Sequence, residues 1–468
     1  MEKFPKRTCQ EWMQTHEKKV LEDFFHFLHF PSISTDPAHK KDCLQTADWL
    51  KSYLEEMGAS VELLQSSGHP VVFAQFMKDP SFPTVLLYHH YDVQPVDPID
   101  LWKTDPFTAT LQDGKIYARG ASDNKGQCFF TLTALKALQK LTQKDSIWDL
   151  PLNIKLFIEG EEECGGAGTC EVLQAHADKL RSDFLCVIDF DIPAKDTPAL
   201  SLGYRGILTM EMECTNASTD LHSGVHGGIA LNPNRILATL LSNLWDEKGK
   251  VTIPHFYDGI IPLSVEEEAT FDFSFDEKKY RKDFGVGALC PEEGISYKET
   301  NGLYPTAEIN GMWGGYTGLG FKTVIPAKAF AKVSCRLVPG QDPQEIFRNF
   351  EQFIKEHTPK GAEISVKLHH GAKAYRASAD SFLLQSARRS MEEVFEKAPC
   401  KSVLCGGAVP IVRDLIEASK AEAVLLGFAL DTDNVHAPNE HFEWECFQKG
   451  FLVMLKLFWE LAFTKSKA

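Results

Sequence analysis

Residues Thr84–Asp92 read TVLLYHHYD, an apolar run that ends in His90 and Asp92. A continuous run without alternation suits a strand buried on both faces, as in an α/β sheet. Two further runs share the form: NIKLFIEG leads into Glu161, Glu162 and Glu163, and DFLCVI leads into Asp189 and Asp191. A third, AVLLGFA, leads through ALDTDNV into His436. Apolar strands thus deliver imidazole or carboxylate at their carboxyl ends, the edge where open α/β sheets place ligand sites. Asp123, in ARGASDNKG, stands just ahead of a helix expected from about Lys125 to Leu141. Singly, a histidine after a strand is an ordinary surface residue and an acidic triplet an ordinary solvated loop. Their recurrence at successive strand ends argues for a site.

Outward from these strands, the chain divides by its periodicity. Before about residue 203 helical and strand signals alternate. Leu21, Phe24, Phe25 and Leu28 fall at helical spacing, as do Leu44, Ala47, Leu50, Leu54 and Met57. In GILTMEMECT, by contrast, Leu208, Met210 and Met212 alternate with polar residues, the period of a strand with one solvated face. A helix follows near Arg235–Trp245, then the alternating strand AFAKVSCRLV. A helix opened by Asp342, with Glu345 at capping-box spacing, and the strand EISVKLHH complete the set. This is most of a split βαβ, ferredoxin-like unit. From about Asp380 the first style returns. The expected fold is an α/β catalytic domain with a mixed sheet flanked by helices, formed by 1–203 and 375–468. An α+β ferredoxin-like lid/dimerisation domain, 204–374, is inserted in it. Within it, 251–325 carries no assignable pattern.

A chain of 468 residues exceeds one ordinary core, in keeping with two domains. Acidic residues outnumber basic ones 65 to 49, for a formal charge of -16. That balance argues against nucleic-acid or anionic-membrane partners, whose binding relies on Lys and Arg. No secretory signal or membrane-spanning stretch stands out, and the twelve scattered cysteines lack any C-x-x-C pair. Reduced thiols and a cytoplasmic location are expected.

Two histidines with three carboxylates form an N/O donor set suited to zinc or manganese. If His90 and Asp189 hold one ion, Glu163 and His436 the other, and Asp123 bridges, two divalent charges less three leave +1. One bridging hydroxide would neutralise that charge, and such a site exists to generate it. Asp92, two residues from His90 on the same strand face, can take the imidazole N–H. Glu162, left over beside Glu163, is placed as general base.

The motifs HHYDVQP, ARGASDNKG, EGEEECGG, GYRG, DLHSGVHGG, KTVIPAKAFAKVSCRLVPGQDP and HAPNE resemble, in order, those of one metallopeptidase family. It is the family of co-catalytic zinc exopeptidases that includes carnosinases, cytosolic non-specific dipeptidases, glutamate carboxypeptidases, acetylornithine deacetylase and succinyl-diaminopimelate desuccinylase. The resemblance runs from about Leu21 to Phe458. It implies the ligands His90, Asp123, Glu163, Asp189 and His436, with Asp92 and Glu162 in the roles above. It favours Asp189 over Asp191, because the distance to Arg205 in GYRG fits the family spacing. It implies two divalent ions per chain, zinc first, with manganese or cobalt as alternatives. It further implies a homodimer through the lid, with His222 stabilising the oxyanion across the dimer and Arg336 holding the substrate carboxylate. Thr323 and His370 match further substrate contacts.

Two departures fall on the substrate side: GGAVP, with Ala408, stands where relatives read GGSIP, and Cys405 precedes it. The resulting expectation is hydrolysis of an amide bond in dipeptides or short peptides with a free carboxylate, with Glu162 as base. An N-acyl amino acid deacylase or desuccinylase, or a catalytically silent metal-binding scaffold, are the alternatives. The retained Glu162 speaks against the last.

Overall fold

The apolar runs form the strands Thr84–His90, Asn153–Glu159, Phe184–Asp191 and Glu422–Ala429, each buried along nearly its whole length. The structure is a computed structural model and describes residues 4–141, 150–289, 292–378, 380–406 and 410–463. The chain divides into two compact units, one of 1–202, 377–403 and 409–468, the other of 203–376 and 404–408.

In the first unit, Asn153–Glu159 pairs parallel with Thr84–His90, which pairs parallel with Phe184–Asp191, which pairs parallel with Glu422–Ala429. Ser60–Leu64 and Val71–Phe76 extend the sheet antiparallel on the Asn153–Glu159 side, so the sheet is mixed. The central strands therefore end at one edge, and their terminal polar residues converge there. Helices Lys6–Leu28, Lys125–Leu141 and Trp444–Ala462 pack together over the sheet. Phe24, Phe129 and Phe447 sit at their junction, with ring centroids 5.4 Å apart for Phe24–Phe129 and for Phe24–Phe447.

A small antiparallel sheet does the remaining positioning. His441–Glu443 pairs with Lys115–Tyr117, which also pairs with Thr110–Gln112. The pairing His441↔Tyr117 draws the segment before residue 441 alongside the segment after 117. Residues more than 300 positions apart thereby reach the same sheet edge.

In the second unit four antiparallel strands run in the order Thr306–Gly314, Lys328–Leu337, Gly206–Thr215, Glu363–Ala372. Helices Pro233–Ser242 and Pro343–His357 cover one face. Their core joins Leu208, Met210, Met212, Leu237, Val333 and Phe350. The order and the two helices are those of a ferredoxin-like unit. Its missing strand is Thr306–Gly314, in the stretch that had no assignable pattern. That strand lies at the sheet edge, is broken by a register shift between Ile309 and Gly311, and alternates poorly. Asp342 caps its helix through the Gln344 and Glu345 amides. Reciprocal capping boxes occur instead at Ser264/Glu267 and Ser296/Glu299. Among the described residues no helix is long and apolar enough to cross a membrane, and the described cysteines are free thiols, most of them buried.

Gly427 lies where two parallel strands leave no room for a side chain. It pairs with Phe190 at a register shift, and an added Cβ would lie 1.7 Å from the Phe190 carbonyl oxygen. Gly427→Ala must push these backbones apart. It should lower the denaturant midpoint by the equivalent of about 1–3 kcal/mol or more, measured by equilibrium unfolding. An unchanged midpoint would contradict this packing.

Candidate metal centre

His90 ends its strand fully buried, and Asp189 stands one position before the penultimate residue of the next strand, with its side chain 8% exposed. Asp123 precedes the helix Lys125–Leu141, and its carboxylate faces both ways. Oδ1 lies 3.0 Å from His90 Nε2, and Oδ2 lies 2.9 Å from His436 Nε2. His90 Nε2 is also 3.5 Å from Asp189 Oδ1, and His436 Nε2 is 3.3 Å from Glu163 Oε2. Two groups that could hold a cation result, His90–Asp123–Asp189 and Asp123–Glu163–His436, each with ligand atoms within 4.8 Å of one another. Asp123 belongs to both. Asp191, the neighbouring carboxylate, is exposed and lies outside both groups. His436 takes a left-handed backbone, φ 61°, uncommon for a residue with a Cβ and the kind of strain found at functional sites.

The glutamates after Asn153–Glu159 separate by what they touch. The Glu159 carboxylate is buried and accepts from Tyr88 and Thr169 hydroxyls. Glu161 accepts from the Thr169 amide and lies against Gly68 and Gly168, where no Cβ would fit. Glu163 accepts from Gln94 Nε2 at 2.7 Å. The Glu162 carboxylate makes no hydrogen bond or ion pair with any described residue, while His90, Asp189, Glu163 and Asp123 all act on it electrostatically.

Charge accounts for the titration pattern. Burial raises Glu162 well above the usual carboxylate range, with Asp189, Glu163 and Asp123 adding to it. Burial and Asp123 push Glu163 up to about 7. Asp123 and Glu163 raise His436 to about 10. Burial opposes the charged form of His90, yet Asp189, Asp123 and Asp92 outweigh it and raise that imidazole too. The site thus demands positive charge, and protons on its histidines answer that demand in part. Glu163 Oε1 is buried and meets no donor among the described residues. A carboxylate shared between two N/O groups, with an orphaned buried oxygen beside it, fits a divalent cation in each group.

Asp92 differs in detail from the expected contact. His90 Nδ1 lies 3.1 Å from the Asp92 carbonyl oxygen and 3.3 Å from carboxylate Oδ1, so the main chain takes the shorter contact. The other carboxylate oxygen accepts from Ser34 Oγ at 2.6 Å and from the Glu163 amide at 3.1 Å. Asp92 therefore ties His90 to the Glu163 turn.

Several supporting residues had no role in the sequence reading. Glu440 accepts from the Gly120, Ser122 and Asp123 amides and from Arg119 Nη1 at 2.7 Å, with both partners of the ion pair 1% exposed. One buried carboxylate thus shapes the turn that presents Asp123. Ser34, Gln94 and Asn124 likewise hold the site groups. Gln94, Asn124 and Glu440 had a visible signal, as members of HHYDVQP, ARGASDNKG and HAPNE, and Ser34 had none.

The remaining predicted residues lie in the second unit. His222 pairs with Val324, beside Thr323, and its Nδ1 accepts from the Gly224 amide at 3.0 Å. In the neutral ring that contact leaves the proton on Nε2, a free donor. Arg336 is half-buried on its strand, and its guanidinium bonds to none of the described residues. His370 is exposed, at the register shift opposite Thr209. Cys405 is half-buried, and of GGAVP the residues Gly407, Ala408 and Val409 lie outside the described residues.

A mixed α/β sheet with a shared-carboxylate pair of cation groups at the carboxyl edge of its parallel strands, and a ferredoxin-like insertion, defines a class of metallopeptidases. The chain belongs to Peptidase family M20/M25/M40, whose sequence model matches residues 86–460. Membership implies bound metal ions. The chain is 29% identical to the Cys-Gly metallodipeptidase dug1 of Schizosaccharomyces pombe over 92% of this chain and 93% of that one. It is 32% identical to the Beta-Ala-His dipeptidase of Homo sapiens over 84% and 78%. Among solved structures it superposes on the M20 family metallo-carboxypeptidase Sso-CP2 from Sulfolobus solfataricus with TM-score 0.84, at 32% identity over 95% of this chain and 99% of that one. On human carnosine dipeptidase 1 the TM-score is 0.80, at 28% identity over 98% of each chain.

Glu440→Ala removes the acceptor of the Asp123 turn and strands the buried Arg119 charge. Breaking such a pair costs about 3–5 kcal/mol, which equilibrium unfolding should show. Metal content of the folded variant should fall as well, and full content with full stability would exclude this bracing role.

Proposed function

We propose that the protein is a metal-dependent dipeptidase that hydrolyses the amide bond of dipeptides or short peptides bearing a free carboxylate. The observation that carries this reading is Glu162, whose carboxylate is left unengaged beside two cation groups while its neighbours are all committed. Divalent ions held by His90, Asp123 and Asp189 and by Asp123, Glu163 and His436, zinc first and manganese or cobalt otherwise, would acidify water and polarise the scissile carbonyl. Glu162 takes the water's proton and returns it to the leaving amine. Asp92 keeps His90 in register with Glu163. His222, with its Nε2 proton, donates to the developing oxyanion. Arg336 meets the substrate carboxylate, with Thr323 and His370 as further contacts. Two relatives whose names specify a dipeptide, Cys-Gly and Beta-Ala-His, favour that substrate class over N-acyl amino acids.

The active unit is a dimer through the inserted domain, with His222 serving the partner's metal site. Support comes from that unit's surface, where Ile229, Leu319 and Phe321 are 81%, 100% and 92% exposed. Among the described residues Thr306–Gly314 is also an edge of its sheet. Exposed apolar side chains and a free edge are what a two-fold partner covers.

Exhaustive chelation should abolish dipeptide hydrolysis, and zinc, manganese or cobalt should restore it with two ions per chain. Glu162→Gln should lose on the order of 10²–10⁴ in rate with metal content retained, whereas Glu163→Gln should lose metal too. Activity without metal, or the two variants behaving in reverse, would overturn the assignment. A faster turnover of acetyl- or succinyl-amino acids than of dipeptides would favour the deacylase.

Mixing inactive His222→Ala with inactive Glu162→Gln tests the dimer. Subunit exchange makes mixed dimers in which one site has an intact base and a partner's intact His222, so activity should reappear. No recovery despite demonstrated exchange would rule out that arrangement.

A further inference from the structure

His89 precedes the candidate ligand His90, and its side chain turns to the opposite face of the strand, as alternation requires. It is fully buried. Its Nδ1 lies 3.0 Å from Asn124 Oδ1. Asn124, also fully buried, gives its amide nitrogen to the Ile188 carbonyl at 2.8 Å and to Asp189 Oδ1 at 2.5 Å. The orientation of this amide is forced. Reversed, its oxygen would face two acceptors, the Ile188 carbonyl and the Asp189 carboxylate, with no donor for either. Nδ1 of His89 must then carry a proton, because it meets an oxygen. Consecutive residues thus meet consecutive residues: Asp123 with His90, and Asn124 with His89.

We propose that His89 and Asn124 are positioning residues that aim the Asp189 carboxylate at the ion of the His90–Asp123–Asp189 group, and that the other group does not depend on them. The chain runs from the His89 N–H to Asn124 Oδ1, and from Asn124 Nδ2 to Asp189 Oδ1. It engages Oδ1, the oxygen that also lies 3.5 Å from His90 Nε2, and stops the carboxylate rotating, so that the second lone pair of this oxygen stays turned toward the ion group. Neither Glu163 nor His436 hydrogen-bonds to His89 or Asn124; Glu163 is held by Gln94 instead. The inference rests on the two-ion reading above.

The test is metal content of the purified full chain across a chelator series, read by elemental analysis. His89→Leu keeps the bulk and loses the donor. His89→Asn puts an amide N–H where Nδ1 stood and should rescue. Partners that orient a ligand typically change metal affinity 10–100-fold. In His89→Leu one ion of the two should therefore leave at a chelator concentration about 10–100-fold lower than in the unaltered protein. The second ion should leave at the unaltered concentration, which also reports a folded protein, and His89→Asn should release both as the unaltered protein does. Asn124→Ala should reproduce His89→Leu. Unchanged release in His89→Leu, or equal weakening of both ions, overturns the inference. An unaltered protein that holds a single ion sinks the two-ion reading instead. In that case a difference between His89→Leu and His89→Asn still scores the brace on the ion that remains.

Discussion

Like charges brought together out of water repel. Two carboxylates 4 Å apart cost about 4 kcal/mol at an effective dielectric of about 20. Asp123, Glu162, Glu163 and Asp189 are nevertheless gathered at one sheet edge and largely withdrawn from solvent. That cost has to be met by positive charge at the same place, and the two imidazoles are drawn toward protonation for the same reason. Divalent cations answer the demand more fully, since each carries twice the charge of an imidazolium. Much of the surrounding structure keeps the carboxylates from relaxing apart.

Relaxation is prevented by main-chain donors. Glu440 gathers the Gly120, Ser122 and Asp123 amides, Asp92 takes the Glu163 amide, and Glu161 takes the Thr169 amide. Each is a buried carboxylate that orders a turn by accepting from its backbone, which fixes the side chain presented there more rigidly than a contact between two flexible side chains could. The small sheet that pairs His441 with Tyr117 supplies the long-range half of this bracing. Without it, Glu440 and His436 would have no reason to meet the Asp123 turn.

The legible part of the fold follows from burial. Parallel strands covered on both sides must be apolar throughout, so Thr84–His90, Asn153–Glu159, Phe184–Asp191 and Glu422–Ala429 stand out, and the polar residues after them mark the site edge. Thr306–Gly314 was illegible for the opposite reason. An edge strand with one partner, a register shift at Gly311 and exposed Ile309, Met312 and Trp313 has neither a buried face to set a period nor a continuous apolar run. The S-x-x-E spacings at Ser264 and Ser296 were readable in that same stretch. The roles of Ser34, Gln94 and Asn124 could not be read, although Gln94 and Asn124 lie inside HHYDVQP and ARGASDNKG, because the effect of each lies in a hydrogen bond to a distant residue. Glu161, Glu162 and Glu163 show the limit most clearly. Adjacent in sequence and identical in type, they take different roles only through what each carboxylate meets.

Two arginines in the inserted unit carry the same lesson to the substrate side. Arg205 is buried, and its guanidinium is spent on the protein: on the Gly406 and Thr300 carbonyls, the Thr306 hydroxyl and the Asn301 amide oxygen. Arg336, close enough to depress Arg205 by like charge, bonds to none of the described residues. Burial lowers Arg336 itself, and the Cys405 thiol is the group that opposes this. Two guanidiniums in one desolvated patch, one with its donors used and one with them open, make a place where an added carboxylate gains bidentate bonds and relieves repulsion together. The open one keeps its donors free of the described residues, and the spent one holds the Cys405–Gly406 turn in place. The metal edge and these two arginines are built in separate units.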